Sequence, residues 1–430
     1  MAKVTLIGAG SVVFASRLAT DILSWPDLQA GTICLMDIHA GRLETITGYI
    51  KQLVAQQHLP TIVESTQDRR AALAGADYVI IMTQIGGLAM YEHDVVIPRR
   101  YGIDQTVGDS LGPGGVFRGL RSIPVLVDIC RDMEELCPNA LLINYSNPMA
   151  INCLAMERAS KIKTLGLCHS VQGTAELLAQ FIGAPISEIA YSVAGINHQA
   201  WFLRFEWNGR DAYPLLYEKM RDPETLAKEP VRFDIMKHFG AFVTESSHHM
   251  SEYVPWYRKN PETVNKFLPT RWDYFEICKG REGPHYDKIR AQAAGTEPIE
   301  FDRSHEYCSY IINAIETNTP YRMNGNVQNT SLITNLPEGC CVEVPILCDN
   351  AGLHPCHVGK LPTPLAAINR TNINVQELAV EASLTGNREM VYQAVKMDPL
   401  TGALLTLDQI TAMVDELFAA ESDWLPQFKS

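Results

Sequence analysis

The sequence predicts an α/β fold, a Rossmann-like doubly wound parallel sheet followed by an α+β substrate-binding and oligomerisation region. Three observations carry this expectation. Short β-branched runs alternate with amphipathic stretches through the first half of the chain, the pattern of βαβ units. A turn of small residues, Gly8-Ala9-Gly10-Ser11, directly follows the first of those runs. Beyond residue 185 the alternation gives way to longer strands and helical stripes, so the expected division is 1–185 for nucleotide binding and 186–430 for substrate.

Taken in order, strands are expected at 4–7, 32–37, 61–64, 78–83, 141–144 and 164–167. Helical stretches at 16–23, 41–56, 69–74, 114–135 and 172–181 separate them. An open sheet of this kind binds ligands beyond the carboxyl ends of its strands. Asp37, Gln84, Asn147 and Cys168 all fall at or just past such ends. Further on, 189–194 and 200–207 read as strands, and 208–300, rich in Pro, Arg, Trp and Tyr, reads as helices joined by loops around a pocket. Residues 339–348 form another apolar strand. Val375, Leu378, Ala379 and Ala382 share one helical face, as do Ile410, Met413, Val414, Leu417 and Phe418, faces suited to core or subunit packing.

Composition excludes several classes. A formal net charge of -13 disfavours nucleic acid and anionic membrane surfaces, which select basic faces. No run approaches the roughly 20 apolar residues that span a bilayer, and the start of the chain lacks a secretory pattern. A cytoplasmic protein is expected. The 11 scattered cysteines agree, and all except Cys168 read as packing residues.

The glycine turn has the context of a phosphate-binding loop: Gly8, Ala9, Gly10 and Ser11 let backbone approach a pyrophosphate at a helix N-terminus. The third glycine of the usual fingerprint is replaced by Val13. Asp37, closing the second strand, suits the ribose hydroxyls of NAD, whereas NADP favours an arginine there. Cys168 and His198 each follow an apolar strand and supply a thiolate and an imidazole, with positions left open on a divalent ion. Read singly, each is equally a packing or satisfied core residue. Asp109 opens the glycine-rich turn Asp109-Ser110-Leu111-Gly112-Pro113-Gly114-Gly115, which leads to Arg118. That turn suits polar substrate groups or a plain capped loop. Asn147 before Pro148 is a cap or a sugar ligand, and Tyr253 is a base or a pocket wall.

Together these blocks, with Thr83-Gln84-Ile85-Gly86-Gly87, Cys168-His169-Ser170-Val171-Gln172-Gly173-Thr174, Gly195-Ile196-Asn197-His198 and Thr371-Asn372-Ile373-Asn374, resemble glycoside hydrolase family 4 nearly end to end. The likeness is strongest to its bacterial α-galactosidase branch, through Phe242-Val243-Thr244-Glu245-Ser246-Ser247 and Cys340-Cys341-Val342-Glu343-Val344. The resemblance implies a lactate/malate dehydrogenase-like fold, NAD held by Gly8 to Ser11, Asp37 and Gln84, and manganese on Cys168 and His198. It implies Asn147 and Arg118 against the sugar, Tyr253 as base, and His169 as acid with Asp109 competing. An aspartate follows the metal cysteine in the phosphoglycosidase branch; here His169 stands in its place. That branch also carries an arginine for the sugar phosphate where this chain has Tyr91, so an unphosphorylated α-galactoside is implied. Alternatives are an α-glucoside, an α-glycuronide or, from another class, a 2-hydroxyacid dehydrogenase or a non-catalytic NAD sensor. A homodimer or homotetramer is expected from the same resemblance.

Overall fold

In the computed structural model, which describes residues 1–428, one twelve-stranded sheet runs through the whole chain. Its strands are β1 (Lys3–Ile7), β2 (Thr32–Met36), β3 (Ile62–Thr66), β4 (Tyr78–Ile81), β5 (Leu141–Asn144), β6 (Thr164–Gly166), β7 (Ile189–Ile196), β8 (Gln199–Trp207), β9 (Arg210–Asp211), β10 (Tyr321–Gln328), β11 (Cys341–Asp349) and β12 (Gly352–Pro355). The spatial order is β3-β2-β1-β4-β5-β6-β10-β11-β7-β8-β9, with β12 beside β11. The first six strands are parallel in the order of a dinucleotide fold. The remainder pair antiparallel.

β1, β4 and β5 are almost wholly buried, because helices cover both faces of a parallel sheet. β3, at the edge, is mostly exposed and lies one to two residues later than its apolar residues suggest. The first helix starts at Val12, not at residue 16, because the small turn feeds straight into it. The glycine-rich helix likewise starts early, at Gly112, with Pro113 in its first turn where no amide partner is lost.

Among the elements missing from the sequence-based expectation are the helices Gly87–Arg100 and Met149–Ala159 and the strand β10. Gly87–Arg100 has an interior Pro98 and a mixed face, and β10 carries Asn324, Gly325 and Asn326, poor strand formers. Tertiary pairing decides all three. The region 208–300 is helical, as expected, and includes the long helix Tyr274–Ala293.

Both C-terminal stripes turn inward. Ile410, Met413, Val414 and Leu417 are fully buried within the chain, as are Val375, Ala379 and Ala382. One core cluster reaches from Val4 to Leu425, and a second surrounds Phe202, Phe233 and Phe242. Arg121, on the glycine-rich helix, is buried between Asp94 (2.7 Å) and Glu421, the last residue of helix Leu407–Glu421. Among the described residues no helix is long and apolar enough to cross a membrane.

Glu157, on helix Met149–Ala159, has a buried carboxyl oxygen without a hydrogen-bond partner among the described residues. Burial makes it a weaker acid and pushes its pKa up to about 8, and the backbone N–H of Gln328 offsets this only in part. A carboxyl raised in the folded state holds its proton there while the unfolded chain releases it, so stability falls as pH rises from about 4.5 to about 8. Glu157→Gln is therefore expected to unfold like the parent near pH 4 and to be more stable by roughly 4 kcal/mol at pH 8, read from urea unfolding at several pH values.

Candidate active site

The strand ends converge on one side of the sheet. Gly8 follows β1 at φ +82°, and a Cβ there would lie 2.8 Å from Thr83 Cγ2. The Gly8 and Ala9 amides donate to Met36 O, and the Gly10 amide donates to Asp37 Oδ2 at 2.7 Å. A Cβ on Gly10 would stand 2.6 Å from that same carboxylate oxygen. Asp37 Oδ1 accepts from the His39 amide at 2.8 Å, so the carboxylate is fixed at the rim of the turn. Ser11 precedes helix Val12–Leu23 but makes no side-chain cap. Its first-turn amides are thus open to an anion, as a pyrophosphate requires. Gln84 is exposed and donates to Gly87 O at 3.3 Å.

Phe14, in that helix, meets Tyr145 with ring centroids 5.9 Å apart. The contact joins the glycine turn to the segment bearing Asn147. Asn147 Nδ2 donates to Asp109 Oδ2 at 3.3 Å, and Arg118 Nε donates to Asn147 O at 3.2 Å. Arg118 Nη1 lies 4.0 Å from Asp109 Oδ2, and its guanidinium stacks over the Tyr91 ring at 5.1 Å. Burial raises the Asp109 carboxyl, but Arg118, then His249 and a Ser110 hydrogen bond, outweigh it and hold the group below its ordinary range. Tyr91 itself is buried and donates its hydroxyl to Val107 O at 2.5 Å.

Cys168 stands just beyond β6. His198 occupies the two-residue turn Asn197-His198 between β7 and β8 at φ +62°, a left-handed conformation uncommon for a residue other than glycine. Cys168 Sγ and His198 Nε2 are 3.4 Å apart. On the other side of the ring, Nδ1 lies 3.2 Å from Tyr253 Oη. Glu245 Oε1 approaches His198 Nε2 at 3.8 Å and His249 Nδ1 at 4.0 Å. Ligand atoms of His198, Glu245 and His249 all fall within 4.8 Å of one another, a geometry that suits one divalent ion. Two ligands of a tetrahedral ion sit roughly 3.5 Å apart, so the Cys168–His198 separation fits as well. Glu245 adopts φ +74°, a strained backbone that an ordinary loop avoids.

Burial drives the Tyr253 phenol well up, and the Asp109 carboxylate adds to it while Ser110 opposes. His169, next to Cys168, faces outward; its side chain is 61% exposed and its Nδ1 is 3.5 Å from Glu306. The Glu306 hydrogen bond and Cys168 raise its imidazole to about 9. The structure thus groups Cys168, His198 and Tyr253, groups Asp109, Asn147 and Arg118, and leaves His169 and Gln84 at the rim.

Glu245, His249 and Glu252 are additions to the sequence-based set. The run Glu245-Ser246-Ser247-His248-His249 carries an i, i+4 acid–histidine pair, but its aromatic, weakly periodic surroundings hid it. Glu252 acts as a clamp. Its buried carboxylate accepts from Thr106 Oγ1 (3.0 Å) and from the amides of Thr106, Val107 (2.9 Å) and Gly108 (3.0 Å), and faces Arg258 at 3.8 Å. It ties the loop leading to Asp109 to the segment bearing Tyr253.

Residues 3–184 match the sequence model of the family 4 glycosyl hydrolases, and residues 193–401 match that of the family 4 glycosyl hydrolase C-terminal domain. An α-galactosidase of Bacillus subtilis (strain 168) is 42% identical over 436 residues, covering 100% of both chains. An α-galactosidase of Rhizobium meliloti (strain 1021) is 39% identical over 446 residues, covering 99% of this chain and 89% of the relative. A 6-phospho-α-glucosidase from gut microorganisms, solved in complex with NAD and Mn2+, superposes with a TM-score of 0.85 at 20% identity over 100% of each chain.

Removing the Glu252 acceptor strands buried amides and the Arg258 charge. Glu252→Ala should cost about 3–5 kcal/mol of stability, measured by urea unfolding; a loss within 0.5 kcal/mol, the usual range of a surface substitution, contradicts the clamp.

Proposed function

The chain belongs to family 4 of the glycosyl hydrolases, and on that premise we propose that it hydrolyses unphosphorylated α-galactosides with NAD and a divalent metal, Mn2+, as cofactors. The supporting observation is the Cys168–His198–Tyr253 chain of contacts, facing the Asp109–Asn147–Arg118 group. Two full-length relatives at 42% and 39% identity support the galactoside. We assign nucleotide binding to residues 1–185, whose Asp109, Arg118 and Asn147 also reach the sugar, and the rest of substrate binding to 186–430, and propose a cytoplasmic homodimer or homotetramer. All eleven cysteines are free, which suits a reducing compartment.

Gly8, Ala9, Gly10 and Ser11 hold the pyrophosphate of NAD, Asp37 its ribose, and Gln84 flanks it; Cys168 and His198 hold the metal. When bound, these groups supply a reversible hydride acceptor for a sugar carbon and a Lewis acid for the hydroxyl oxygens beside it. The remaining work falls to the chain's own side chains. With His198 Nε2 turned toward Cys168 and Glu245, its Nδ1 carries the hydrogen and donates to Tyr253 Oη. That hydrogen bond favours the phenolate form of Tyr253, the base that takes the sugar C2 proton. It opposes the burial that otherwise keeps the phenol protonated.

Asn147 and Arg118 orient the ring hydroxyls. Asp109, ionised beside Arg118, accepts from a sugar hydroxyl and keeps the guanidinium neutralised. His169, at the mouth and next to Cys168, is the acid for the departing oxygen. Where a phosphate-binding relative needs a cation, Tyr91 directs its hydroxyl to Val107 O instead. Arg118, already answered by Asp109, offers no free charge to a C6 phosphate or carboxylate.

With NAD and Mn2+ supplied, nitrophenyl α-galactoside is expected to be hydrolysed with at least about tenfold higher kcat/KM than the α-glucoside, α-galacturonide or a 6-phosphoglycoside. Net NADH accumulation on a 2-hydroxyacid with no sugar release would overturn the assignment. Tyr253→Phe should lower kcat by about 100-fold or more and abolish exchange of the substrate C2 hydrogen with D2O, measured by NMR. Cys168→Ser should weaken Mn2+ binding by at least about tenfold in a metal titration while circular dichroism stays unchanged; undiminished binding removes Cys168 from the ligand set.

A further inference from the structure

Four residues, one on each of four adjacent strands, form a row across the sheet where its parallel part meets its antiparallel part. Gly166 on β6 is registered with Asn326 on β10, Asn326 with Glu343 on β11, and Glu343 with Gly195 on β7. Partners in antiparallel register project to the same face. Cys168 lies two residues beyond Gly166, and His198 three beyond Gly195, so this row underlies both.

Glu343 has no exposed surface, and neither carboxyl oxygen has a hydrogen bond of ordinary geometry among the described residues. Asn197 Nδ2 is orphaned in the same way, and its side chain faces the Glu343 carboxyl closely enough to favour the ionised form against the burial that opposes it. Such an isolated buried acid is costly, and replacing it by an apolar residue is commonly neutral or stabilising. The acid is therefore without a stabilising function and has a position: beneath the turn whose second residue is His198, held at φ +62° without the glycine that would relax it. A histidine that ligates a metal needs its backbone and ring fixed, and buried polar partners outside the ligand set commonly do this.

We propose that Glu343 is a positioning residue for the metal: its carboxyl anchors the Asn197 side chain and so holds the Asn197-His198 turn in the conformation that presents His198 Nε2 to the ion. The inference rests on the reading of His198 as a ligand.

The test uses the full chain with Mn2+ and Co2+ as probes. Glu343→Leu should weaken Mn2+ binding by about 10–100-fold and shift the Co2+ absorption spectrum, while its melting temperature is unchanged or higher. Glu343→Gln, which keeps the hydrogen-bonding shape, should stay within about threefold of the parent. Asn197→Ala should reproduce the Glu343→Leu loss, and the double variant should lose no more than either single one, since both act through one contact. Should Glu343→Leu fail to fold, Asn197→Ala and Glu343→Gln decide alone. Parental Mn2+ affinity and Co2+ spectrum in Asn197→Ala, or in a folded Glu343→Leu, overturn the proposal. His198→Ala separates the two failures: intact Mn2+ binding in that variant sinks the ligand assignment, and its loss alongside a parental Glu343→Leu sinks the positioning role only.

Discussion

The handover from parallel to antiparallel pairing is the constraint on which the site depends. β6 meets β10 through the single registered pair Gly166–Asn326, and β11 meets β7 through Glu343–Gly195. Only there can a strand of the nucleotide half and a hairpin of the second half end side by side, bringing Cys168 against His198. Gly166 is required by sterics: a Cβ there would stand 2.6 Å from both Cys153 Sγ and Met149 Sδ. Gly195 meets the same limit on its other side, where a Cβ would stand 2.6 Å from Gln199 O. The junction is narrow because both flanking residues must lack side chains, and it is rigid because its neighbours are buried.

Around that junction the charges are arranged with little solvent to soften them. Carboxylates from Asp109, Glu245 and Glu252 surround the two histidines and Tyr253, each with a different answer, while burial holds the Glu343 carboxyl well above its ordinary range. Asp109 is answered by Arg118, Glu252 by backbone amides and Arg258, and Glu245 by His198 and His249. This negative charge suits a cation.

The C-terminal helices support the site from behind. Arg121 is one helical turn beyond Arg118, and its buried contacts to Asp94 and Glu421 lock the glycine-rich helix against Gly87–Arg100 and the last long helix. Asp94 and Tyr91 lie on that same helix, so the contact that holds the fold also sets where Tyr91 meets Arg118. Gly114 permits the approach, since a Cβ there would stand 2.2 Å from Asp94 O. The last long helix, Leu407–Glu421, therefore serves packing within the chain.

The sequence by itself determined the local features: the strand–turn–helix at Gly8 to Ser11, Asp37 at a strand end, and Cys168 and His198 after apolar strands. Each is written in neighbouring residues, where periodicity and turn chemistry act over a few positions. The tertiary structure alone decided that one sheet would run unbroken through both halves, that β10 would enter it despite its asparagines, and that Glu245, His249, Glu252 and Glu343 would close on the site. Of those residues only Glu245 and His249, four positions apart, carry a local signature. Their roles arise from pairings between segments scores of residues apart, and such long-range contacts are set by burial and register, which no short window of sequence contains.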